Sequence, residues 1–195
     1  MNGLKIGAIA LSLMAICSSS ARGQANETAS DVIEVFDKYC FTPSADRTVA
    51  MNTAPDDGVN GKVIPPKQVE ADLGAPGGAA WYVRATHKTL LKLQFTPNNI
   101  CSVEVPKAET AELVKAMSAF LEAKAKSDGI KFHVHDDNAS DEGGLHQHRI
   151  FYMVYQPKAG TTGFLAVNTL DGGQLDEHRG QFSFILTSDP YTEGK

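Results

Sequence analysis

The chain has 195 residues, and its 23 acidic side chains outnumber its 18 lysines and arginines, for a formal net charge of −5. That balance argues against nucleic acid or an anionic membrane surface as a general partner, and no basic run offsets it. The length suits one domain with room for a substantial core.

Residues 1–25 read as an export signal. Met1 to Lys5 carries one positive charge, Ile6 to Cys17 is apolar and uncharged, and Ser18 to Ala25 is small and polar. This is the order of a cleavable secretory signal. The apolar run is too short for a bilayer span, which needs about 20 residues. We expect cleavage after Ala25, or after Gly23 as the alternative, leaving 26–195 as a single periplasmic or secreted domain with no transmembrane segment. Lipidation at Cys17 is disfavoured, because bulky Ile16 stands where lipoprotein signals place a small residue. The removed part takes Lys5 and Arg22 and no acid, so the remaining chain is more acidic still.

The first predicted element is a helix over 29–40. Val32, Val35, Phe36, Tyr39 and Cys40 fall on one helical stripe, with Thr28 as the expected cap and Asp31 three residues on. Residues 41–79 hold five prolines and five glycines and read as irregular, except for a short helix at 67–73 stopped by Gly74. Such a segment wraps the core or forms a flap. Period-two alternation follows. Trp81, Val83 and Ala85, then Leu91, Leu93 and Phe95, then Cys101, Val103 and Val105 mark three strands of an antiparallel meander. Residues 107–128 give a helix with Leu113, Val114, Met117, Phe120 and Leu121 as its buried stripe and Gly129 as its stop. Four strands are expected near 130–135, 148–156, 162–168 and 181–187. The fold class is α+β: an antiparallel sheet of about seven strands with two main helices packed on it, in the order α-βββ-α-ββββ.

With Cys17 in the signal, Cys40 and Cys101 remain. Both occupy inward positions of their elements, and an exported chain favours a disulfide between them. This layout, an inward Cys on a first helix and a second in Cys-Ser-Val, resembles that of uncharacterised exported proteins of proteobacteria. The resemblance covers the first half of the chain and implies no functional residues.

No G-x-S-x-G, phosphate-binding glycine loop, H-E-x-x-H or C-x-x-C signature is present, which weakens the enzyme reading and leaves it open, and the leading expectation is a binding or accessory protein. Its ligand would be a small molecule or an envelope component. The alternative reading rests on His133, His135, His146 and His148, four of the six histidines, arranged as two H-x-H pairs. Residues i and i+2 of a strand share a face, so a hairpin with Asp136 to Gly144 at its tip would converge four imidazoles. Imidazole suits Zn and other divalent transition metals, which would make the protein a metal binder or a metal-dependent enzyme. The competing reading is that these histidines form a solvated strand face. The acidic stretch is no EF-hand, since Asp141 and Gln147 stand where that loop needs Gly and Glu. Trp81, after Gly77-Gly78, is read as a core residue, with ligand stacking under the 41–79 flap as the alternative.

Overall fold

The computed structural model describes residues 27–56, 58, 60–142, 144–172, 177–188 and 190–192, and the expected signal segment lies outside them. Helix α1 (27–36) runs into a single π turn at Asp37–Phe41. The elements that follow are α2 (Arg47–Thr53), β1 (Gly61–Val63), α3 (Pro66–Leu73), β2 (Ala79–Arg84), β3 (Leu90–Phe95) and β4 (Cys101–Val105). Then come α4 (Thr110–Asp128), β5 (Lys131–Glu142), β6 (Leu145–Gln156), β7 (Thr161–Gly172) and β8 (Glu177–Thr187).

All eight strands form one antiparallel sheet in the order β1-β2-β3-β4-β8-β7-β6-β5. The α+β class read from the sequence is the class of the protein. The sheet has eight strands rather than seven because β1 joins β2 through Gly61 to Val63, a strand too short to leave a period in the sequence. Within the segment 41–79, α3 is the short helix expected before Gly74, whereas α2 falls where irregular chain was expected. Helix α4 carries the chain from β4, in mid-sheet, to the far edge at β5. The three hairpin-linked strands then return until β8 pairs with β4.

Facing residues of an antiparallel sheet share a side, so the register defines two faces. One row is Trp81, Leu93, Val103, Phe182, Val167 and Ile150. The row below holds Phe95, Cys101, Phe184, Leu165 and Tyr152. Both face α1, the π turn and α4, whose Val32, Val35, Phe36, Tyr39, Leu113, Met117 and Leu121 complete the core. Phe36 meets Phe182 edge-on at 5.9 Å between ring centroids, and Phe41 meets Phe120 at 5.1 Å. Gly180 is what lets α4 approach β8, since a Cβ there would lie 2.1 Å from Leu113 Cδ1. Trp81 is a core residue, edge-on to Phe95 at 6.3 Å.

The sulfurs of Cys40 and Cys101 are bonded at 2.01 Å, with Cα atoms 5.4 Å apart, joining the π turn to β4. Asp31 has a different place from the capping role read for it. Its carboxylate is fully buried and accepts from the amides of His87 (2.9 Å) and Thr89 (3.0 Å), with the His87 ring Nδ1 also at 2.9 Å. Burial alone would raise its pKa. The hydrogen bonds from Thr89 and His87 outweigh that and hold the carboxyl below the usual range. Among the described residues, no helix is long and apolar enough to cross a membrane.

Candidate ligand-binding face

Among the described residues, the side of the sheet away from α1 and α4 is covered at its ends. Helix α3 caps one end, where Val69, Leu73 and Ile64 pack on Ala80 in a small second core. Tyr191 caps the other, its ring 5.5 Å from His133 and 6.0 Å from Tyr155. Between these caps one cross-strand row contains Tyr82, Lys92, Glu104, Gln181, Asn168 and Arg149, one residue from each of six adjacent strands. These are the alternate positions of strands whose other side builds the core, and hence polar by the sheet's own period.

The row is wired along much of its length. Lys92 Nζ donates to Asp72 of α3 at 2.9 Å and stands 3.7 Å from Glu104 Oε2. Gln181 Nε2 donates to Glu104 Oε1 at 3.4 Å. Arg149 Nε donates to Asn168 Oδ1 at 2.8 Å, with its guanidinium 5.9 Å above the Phe151 ring. Partial burial pushes the Lys92 pKa down, but the Asp72 hydrogen bond and the Glu104 and Asp72 charges raise it by more. Lys92 is therefore held as a fixed cation in mid-row.

A trough of about 490 Å³ opens over this row, within the range typical of small-ligand sites. Lys92, Glu104, Gln181 and Asn168 give it a polar floor, and Tyr82, Leu90, Pro106 and Leu170 give it apolar walls. Leu90 is 44 % exposed and Tyr82 37 %. A hollow of similar size beside the β2–β3 turn differs in chemistry: Glu34, Asn60, Arg84, Thr86 and Lys88 line it, with Ala85 as its apolar surface.

The structure does not bring the four hairpin histidines together. His133 faces Met153, whereas His148 faces Ala139 and Thr169, which puts the two pairs on opposite faces of the sheet. A register shift between Val134 and Asp136 leaves His135 as the extra residue of a bulge. His133 and His135 stay neighbours on the open face, with ring centroids 6.5 Å apart. His146 and His148 lie on the helix face, beyond the helices, each against a carboxylate. His146 Nδ1 is 2.6 Å from Asp141 and His148 Nε2 is 2.7 Å from Asp137. The acidic stretch is not the hairpin tip. Residues 136–142 continue β5 in register with β6, and only two glycines connect the strands. Among the described residues, no three His, Cys, Asp or Glu side chains are grouped to hold a metal.

No protein-family profile, curated protein or solved structure matches this chain. The site is therefore read from its own chemistry. Of the trough residues, the sequence reading singled out none. Their only signal was the polar half of each alternation, Tyr82 and Lys92 opposite Trp81 and Leu93. Which strand pairs with which decides whether those halves align, and the β4–β8 pairing spans nearly 80 residues.

Proposed function

We propose that this is an exported binding protein that holds a small amphiphilic molecule in the trough on its open sheet face. The observation that carries the reading is the pairing of an apolar-walled hollow with a hydrogen-bonded polar floor that includes a fixed cation. Exposed large apolar groups rimming such a hollow are a cost in water unless something covers them. Pre-wired side chains bind with little loss of rotamer freedom, because their positions are already fixed. The signal-like N-terminal 25 residues support export, and the disulfide suits an oxidising compartment.

The probe 8-anilinonaphthalene-1-sulfonate, an amphiphilic anion, tests the reading. We expect it to bind at one equivalent with enhanced fluorescence. Leu90→Asp should weaken it at least tenfold without shifting the melting temperature, since Leu90 is exposed and supports no core. Equal binding by the wild type and Leu90→Asp would remove the trough as the site.

A further inference from the structure

The far end of the open face carries a second arrangement of donors, separate from the trough by roughly 20 Å along β6. His133 and Met153 are direct cross-strand partners, and facing side chains of a sheet pair have Cβ atoms about 5 Å apart. The β5 bulge keeps His135 on the same face, beside them. His133 Nδ1 is buried and has no hydrogen-bond partner among the described residues, an unusual state for a ring nitrogen. Met153 is 5 % exposed, and its sulfur meets a weak donor, Thr192 Oγ1 at 3.9 Å. The Tyr191 ring lies 5.5 Å from that of His133, and the Phe164 ring 5.4 Å from that of His135.

We propose that His133, His135 and Met153 form a binding site for one copper(I) ion. Two imidazoles and a thioether are a soft donor set, and thioether selects copper(I) over the harder divalent ions. Zinc asks for four ligands drawn from thiolate, imidazole and carboxylate, and among the described residues no such group surrounds these histidines. The spacing also fits. Two imidazoles bound on opposite sides of one ion, with metal–nitrogen bonds of about 2.0 Å, have ring centroids roughly 6 Å apart, against the 6.5 Å seen here. The orphaned Nδ1 of His133 gains a partner. The inference does not rest on the trough.

Protein isolated from the envelope of an exporting host, held under ascorbate without oxygen, is titrated against the copper(I)–bicinchoninate complex. We expect it to withdraw one equivalent of copper. Met153→Leu, which nearly conserves side-chain volume, and His133→Gln should each weaken binding at least tenfold, while the double variant His146→Gln/His148→Gln binds like the wild type. X-ray absorption on the wild-type complex should find a sulfur neighbour beside nitrogen, which keeps the test sound should a variant misfold. No withdrawal of copper, wild-type affinity in a folded Met153→Leu, a loss in the His146/His148 variant as large as in His133→Gln, or a copper shell of nitrogen and oxygen alone would each overturn the assignment.

Discussion

Asp31 ties the β2–β3 turn to α1 through one carboxylate, which two backbone amides and the His87 ring approach. Replacing it by Ala removes the acceptor of two part-buried amides, and the loss should be about 1–3 kcal/mol at neutral pH. The pH dependence has a definite sign. The native carboxyl titrates below its usual value. Its contribution is therefore complete above the unfolded pKa of about 4 and is lost as pH falls through the lower native value. Urea unfolding of the wild type and Asp31→Ala should give midpoints that differ at pH 7 and converge below pH 4. A gap that is constant across that range would contradict the role. In the sequence, Asp31 looked like part of a helix cap, because three-residue spacing after Thr28 is a local pattern. Its true partners lie more than 50 residues away, where local patterns carry no information. The histidines failed for a related reason. Their H-x-H spacing correctly put each pair on one face, but the relation between the pairs depends on the bulge at His135, and nothing in the residue types announces it.

The π turn at Asp37–Phe41 places Cys40 against β4, and the bond to Cys101 closes a loop whose ends are 61 residues apart. In the chain-entropy view, that closure stabilises the fold by roughly 4 kcal/mol. The double variant Cys40→Ser/Cys101→Ser should unfold at markedly lower denaturant than the wild type, and reducing agent should lower the wild type to a similar midpoint. An unchanged midpoint on reduction would refute the contribution. Elements with strong periods were legible: α4 ends at Gly129 in the left-handed conformation, and α3 ends the same way at Gly74. Both glycines marked those stops in the sequence, since a left-handed residue costs glycine least. Element lengths were less legible. β5 and β6 each run to twelve residues, because backbone pairing continues through Asp136 to Glu142 after the apolar alternation has ended. Polar residues at a solvent-facing hairpin end can keep the ladder without leaving a hydrophobic trace.

At the scale of the molecule, the decisive feature is an asymmetry between the two sheet faces. Helices α1 and α4 cover one face and build the core on it. On the other, α3 and Tyr191 cover the ends and leave the row from Tyr82 to Arg149 between them. The α+β class followed from the order of helix and strand patterns, yet that order alone leaves the pairing of β4 with β8 open, and this pairing assembles the trough floor. The central claim is that this floor receives a ligand. The most direct measurement is amide chemical-shift mapping of isotope-labelled protein during titration with 8-anilinonaphthalene-1-sulfonate. Our account predicts that the largest shifts fall at Tyr82, Leu90, Lys92, Glu104, Asn168, Leu170 and Gln181, with the amides of α1 and the middle of α4 unmoved. Shifts centred on the helices, or spread evenly over the chain, would contradict it.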